Sequence, residues 1–195
     1  MSNAQEKNIW GITGNMAMGK TTVCKFLEGK IDVRIFPCDL IAKNILKADR
    51  LNQKKELMEI DQANISEEEN LRRIEKYVHP KVWQNIESQL EVDDKEIFIV
   101  ESAILYEKRW NEKIQNIIVV HCSAEKQWER LKKDNPNIKS GNLMLRLSRQ
   151  WPVELKMQLA SIVVENNGTL KELEEKVEKL YSIISSGPVR ERIVL

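Results

Sequence analysis

Short apolar runs and stretches with helical spacing alternate along this chain. NIWGIT (8 to 13) predicts a strand ending in a Gly-rich turn, and TTVCKFLEGK after it has helical spacing with Val23, Phe26 and Leu27 inward. DVRIFPCD (32 to 39) is β-branched and aromatic, and its Pro37 suits the end of a strand better than the middle. Asp39 then falls just past that strand, near the start of a helix in LIAKNIL. EIFIVES (96 to 102) and NIIVVHC (116 to 122) are continuous apolar runs, the pattern of strands buried on both faces of a parallel sheet. SIVVENNG (161 to 168) predicts a fifth strand, followed by the amphipathic helix TLKELEEKVEKLYSII.

Between 43 and 92 the pattern changes. The segment is polar and helical with no strand-like run, and Pro80 is placed to begin a new helix within it. It reads as a helical insertion. The alternation elsewhere predicts an α/β doubly wound sheet, with ligands bound beyond the carboxyl ends of the strands. The glycine-rich turn, Asp39 and Glu101 all follow predicted strands, so this topology gathers them on one edge of the sheet.

Composition narrows the function classes. The 195 residues suffice for one full-sized core with a small inserted subdomain. The 31 basic and 30 acidic side chains balance, which argues against a nucleic-acid partner. Cys24, Cys38 and Cys122 are odd in number and lack CxxC spacing, as expected for reduced thiols in a cytoplasmic protein rather than a disulfide framework or a thiolate metal site. No apolar run approaches the roughly 20 residues that span a bilayer, and the start MSNAQEKN is polar, so neither a membrane segment nor a signal peptide is expected.

GITGNMAMGKTTV (11 to 23) carries the chemistry. Gly14, Gly19, Lys20 and Thr21 match G-x-x-x-x-G-K-[ST] between a strand and a helix, the context a phosphate-binding P-loop requires. The glycines let backbone N–H groups turn inward around phosphate oxygens, and the helix beginning near Lys20 presents its positive end to them. The loop from Gly14 through Asn15, Met16, Ala17, Met18, Gly19, Lys20 and Thr21 to Thr22 is the expected ATP cradle. Lys20 would reach the β- and γ-phosphates, and the Thr21 hydroxyl would ligate Mg²⁺. Such a loop alone leaves a transferase, an NTPase and a switch equally open. Asp39 reads equally as a base or as a helix N-cap. Glu101 reads as an acid on the metal shell or as a rim carboxylate. Arg130, in EKQWERLKKDN, reads as a cation over the phosphates or as part of a solvated helix face.

Seven segments in order resemble the dephospho-coenzyme A kinase family: the loop string, CDLIAK, VHP, VESAILYE, the Q-x-x-R-L of Gln127 to Leu131, the Q-W-P-x-x-x-K of Gln150 to Lys156, and NNG at Asn166 to Gly168. The likeness runs from about residue 9 to 180. It implies transfer of the γ-phosphate of ATP, with Mg²⁺, to the 3′-hydroxyl of dephospho-CoA, a small-molecule acceptor; a monomer or weak homo-oligomer is expected. It also implies a three-layer P-loop kinase core with a parallel five-stranded sheet, plus a helical substrate-binding insertion and a helical lid. On that plan the core takes residues 8–42, 96–130 and 156–185, the acceptor domain 43–92 and the lid 131–155.

By the same resemblance Asp39 is the base, Lys20 and Arg130 are catalytic cations, and Thr13 lies near the reacting groups. Asn167 and Gly168 lie near the adenine, and His79 shapes the acceptor pocket beside Asp39 and Glu101. Departures from the family pattern are Pro37 where an acid is usual, Glu101-Ser102-Ala103 for an Asp-x-Pro segment, a shortened stretch between Lys43 and His79, and Lys132 and Lys133 where an arginine is expected. A kinase for another small acceptor, or an ATP-binding protein with weakened catalysis, are the alternatives they leave.

Overall fold

The computed structural model describes residues 7–138 and 140–195; the polar start at 1–6 and residue 139 of the expected lid lie outside the described residues. The chain divides into two compact units, one comprising the chain up to Ile35 and from Lys95 onward, the other Phe36–Asp94.

The first unit is built on a sheet of order β2-β3-β1-β4-β5-β6. Its strands are β1 (Asn8–Thr13), β2 (Val33–Pro37), β3 (Ile97–Glu101), β4 (Asn116–His121), β5 (Ile162–Glu165) and β6 (Ile193–Val194). β1 lies between β3 and β4 with parallel pairing on both sides, and β4–β5 and β5–β6 are parallel as well. The expected five strands therefore become six. The sixth pairs only Ile193 with Ile162 and Val194 with Val163, and two residues after a charged RER are too short to show any period. Pro37 is the last residue of an edge strand, a position that tolerates its missing N–H.

Helices α1 (Lys20–Glu28) and α8 (Leu170–Ser186) pack together on one face of the sheet. Trp10 and Ile12 of β1, Ile118 and Val120 of β4, and Ile162 and Val164 of β5 alternate onto that face. They meet Val23 and Leu27 of α1 and Leu173, Val177, Leu180 and Ile184 of α8. Each fully buried aliphatic side chain contributes about 1.5–3 kcal/mol. The other face is covered by the segment after β3: a Cβ on Gly11 would stand 2.8 Å from Leu105. Also in this unit are α5 (Ala124–Asp134), α6 (Ser140–Ser148) and α7 (Val153–Leu159), of which α7 packs against β4.

The second unit consists of α2 (Cys38–Leu51), α3 (Lys55–Gln62) and α4 (Glu67–Val92). α4 continues through Pro80 instead of restarting there. Pro80 and Lys76, whose carbonyl loses its helical partner, are both exposed, so water can satisfy that carbonyl. Burial of Tyr77, Val78, Val82, Trp83 and Ile86 on the opposite side holds the helix together across the proline. α2 is tied to α4 by polar contacts: Asp49 Oδ2 accepts from the Tyr77 hydroxyl and from Lys81 Nζ, both at 2.7 Å. These bonds, Lys81 first, hold the Asp49 carboxyl below its ordinary range.

Candidate active site

The residues from Gly14 to Gly19 form a loop between β1 and α1, which opens with Lys20. Gly14 has φ +132°, and a Cβ there would stand 2.0 Å from the Val120 carbonyl oxygen of β4. Gly19 has φ +99° at the N-cap of α1, where a Cβ would stand 2.1 Å from Asn166 Nδ2. Both conformation and space therefore require glycine. Gly14→Ala is expected to destabilise the fold by about 3 kcal/mol, from the left-handed backbone and overpacking together. Chemical denaturation measures this, and an unchanged midpoint would mean that β4 yields to the methyl group.

α1 has no acidic residue in its first turn, which leaves its positive end available to an anion. Lys20 is 9% exposed, and its ammonium donates to the Asn15 carbonyl at 3.1 Å. The Thr21 hydroxyl donates to Glu101 Oε1 at 2.7 Å, across 80 residues of sequence. The nearby Cys24 thiol is pushed up by burial, with Glu101 adding to the shift and Lys20 opposing it. Cys24 is thus a neutral core thiol and no nucleophile.

Arg130 of α5 reaches over from the side. Its Nη2 donates to the Asn166 carbonyl at 3.0 Å, while Nη1 is buried and has no hydrogen-bond partner among the described residues. Asn166 in turn donates from Nδ2 to the Met18 carbonyl at 2.9 Å. Of the two asparagines it is Asn166 that reaches the loop; Asn167 accepts the Ser123 N–H at 2.7 Å instead. The turn they share is fixed by a capping box at the start of α8, in which Thr169 and Glu172 satisfy each other's backbone N–H groups. Ala17, Gly19, Lys20, Thr21, Arg130 and Asn166 line a cavity of about 430 Å³ that Gly168 also borders. Thr13 is fully buried at the end of β1, and its hydroxyl has no partner among the described residues.

Residues 59–172, more than half of the chain, match the family model for dephospho-CoA kinase. The chain belongs to the dephospho-CoA kinase family. The dephospho-CoA kinase of Lactobacillus acidophilus is 26% identical over 88% of this chain and 94% of its own length. That of Chlorobium chlorochromatii is 28% identical over 88% and 91%. In fold, the solved structure of the dephospho-CoA kinase from Campylobacter jejuni superposes with a TM-score of 0.63 at 22% identity, covering 93% of this chain and 99% of that one.

Two residues expected in a dephospho-CoA kinase site belong to the second unit. Asp39 is exposed in the first turn of α2, two residues past β2. The helix begins at Cys38 with Pro37 in the N-cap position, so Asp39 is not the cap. His79 is partly buried on α4. Lys132, standing where the family pattern has arginine, places its ammonium over the Trp128 ring, 5.2 Å from the centroid.

Sequence reasoning gave no role to several groups that hold the loop from outside. Gln127 Nε2 donates to the Met16 carbonyl at 2.8 Å, Gln150 Oε1 accepts the Met16 N–H at 3.0 Å, and Asn15 Nδ2 donates to the Trp151 carbonyl at 3.1 Å. The order of Q-x-x-R-L and Q-W-P along the chain was the available signal. Nothing local in the sequence says that both segments end at Met16.

The Thr21–Glu101 pair has the donor chemistry of a cation site. A hydroxyl and a carboxylate are hard oxygen ligands, and Mg²⁺ commonly takes one or two such protein oxygens and completes its shell with phosphate and water. The pair fits that ion. No helix among the described residues is long and apolar enough to cross a membrane.

Proposed function

We propose that the chain transfers the γ-phosphoryl group of ATP to the 3′-hydroxyl of dephospho-CoA. The observation that carries the triphosphate site is Arg130 Nη1, a buried guanidinium N–H without a partner among the described residues, beside a glycine loop and a helix N-terminus. Leaving such a donor unsatisfied costs about 1–3 kcal/mol, which an anionic oxygen would offset. Membership of the kinase family supports the acceptor.

In this reading the loop amides from Ala17 onward and Lys20 bind the β- and γ-phosphates. Lys20 exchanges the neutral Asn15 carbonyl for a charged phosphate oxygen, a stronger acceptor. Arg130 places a second cation on the transferring group, and Asn166 holds it there. Asp39 accepts or orients the proton of the 3′-hydroxyl. Thr13, just before the loop, offers a hydroxyl that has no partner among the described residues. Asn167 fixes the turn that carries Gly168 beside the adenine. Thr21 and Glu101 hold Mg²⁺, which when bound spreads the charge of the β- and γ-phosphates.

The helical unit, with His79, takes the acceptor, and 131–155 acts as the lid. Three buried, free cysteines fit the reducing cytoplasm. The test is ADP release from ATP with dephospho-CoA compared with nucleoside monophosphates. Preference for dephospho-CoA is expected, and preference for a monophosphate would sink the acceptor assignment.

A further inference from the structure

A fully buried lysine stands behind the phosphate loop. Lys156 of α7 has no exposure, and its ammonium lies 2.7 Å from the Ala103 carbonyl and 2.8 Å from Glu107 Oε1. Neither Lys156 nor Glu107 lines the cavity above the loop. A buried ion pair adds little net stability, since desolvating both charges offsets their attraction, so what the pair holds in place matters more than its own energy.

What it holds is the Gln150–Trp151 segment. The same Glu107 Oε1 accepts the Trp151 N–H at 2.7 Å, while Glu107 Oε2 has no partner among the described residues, so one atom carries both contacts. The Trp151 ring stacks on Tyr106 at 6.3 Å between centroids and 6° between planes. From this fixed point the segment reaches the loop through the Trp151 carbonyl on Asn15 and the Gln150 side chain on the Met16 N–H.

The loop needs such restraint. Its interior Asn15-Met16-Ala17-Met18 has no glycine, yet Ala17 takes φ 59°, a left-handed conformation that costs an L-residue about 1–2 kcal/mol. Strain of this kind persists only where the surroundings over-determine the backbone. Both polar backbone groups of Met16, the residue before Ala17, are held by side chains from outside the loop.

We infer that Glu107 and Lys156 are positioning residues for phosphoryl transfer: they fix Gln150 and Trp151, which hold Asn15 and Met16 and so keep Ala17 in the shape of the phosphate cradle. The inference rests on the reading of this loop as a triphosphate site. It does not depend on which acceptor is used.

The test is the double variant Glu107→Leu/Lys156→Met, which removes both charges together at similar volume and leaves no buried charge unpaired. Its thermal midpoint should fall by only about a few degrees, because the Ala103 carbonyl and the Trp151 N–H lose their partners, while kcat falls roughly 10- to 100-fold, the size expected when reacting groups are misplaced by about an ångström, and ATP binds at least about tenfold more weakly. Gln150→Ala leaves the ion pair intact and should produce a loss of the same kind. Combining all three changes should be no worse than the more damaging of the two variants, because both act through one strap. Parental kcat and ATP affinity in a folded double variant would overturn the inference, as would losses that multiply independently. If the double variant does not fold, Gln150→Ala decides alone, and parental kcat and ATP affinity there would overturn it. Should the parent fail to phosphorylate dephospho-CoA, the acceptor reading falls, and calorimetric ATP affinity of the same variants still decides the positioning role.

Discussion

Asp39→Asn is expected to lower kcat by about 10²–10⁴-fold, the range for loss of a positioned general base, while ATP affinity changes by no more than a factor of about two. The contrast follows from placement. Asp39 is exposed in the first turn of α2, is not the cap of that helix, and lies outside the phosphate loop. Its loss costs the helix only a favourable charge near its N-terminus, about 0.3–1 kcal/mol. Stopped-flow or steady-state turnover together with ATP titration measures both quantities. Loss of ATP binding in this variant would make Asp39 a structural residue and remove it from the reaction.

Arg130→Met should lower kcat by about 10²–10³-fold, as removal of a single preorganised charge stabiliser does. Unlike Asp39, Arg130 should also affect ATP binding, because its Nη2 holds the Asn166 carbonyl and Asn166 holds the Met18 carbonyl of the loop. Arg130→Lys separates the two contributions: it keeps a charge but cannot bond Asn166 and a phosphate in one plane. Partial recovery of ATP affinity with little recovery of kcat is the expected pattern. Full recovery of both by lysine would show that only net charge matters at this position.

Much of the fold was legible because both faces of the sheet are covered. Residues 97–100 and 117–120 are apolar at every position, and they form the centres of β3 and β4, flanked by other strands. The phosphate loop was legible because its glycines answer to a local backbone demand, the positive φ at Gly14 and Gly19. β6 was hidden by its brevity, and the course of α4 through Pro80 by tertiary burial that outweighs a local breaker.

The contacts around the loop were hidden for a different reason. Thr21 and Glu101 lie 80 residues apart, Asn15 and Trp151 136 apart, and Lys156 and Ala103 53 apart. No period or spacing encodes such pairs. Family resemblance set the segments in order, yet could not say that Asn166 rather than Asn167 reaches the loop, or that Lys156 and Trp151 share the one oxygen Glu107 Oε1.

Transfer to one hydroxyl of one acceptor is decided by the position of the new phosphate. The product of ATP and dephospho-CoA, isolated and analysed by ³¹P–¹H correlation, should show the added phosphorus coupled to the ribose H3′ with stoichiometric ADP. Phosphorus on another hydroxyl, or ADP accompanied only by inorganic phosphate, would contradict it.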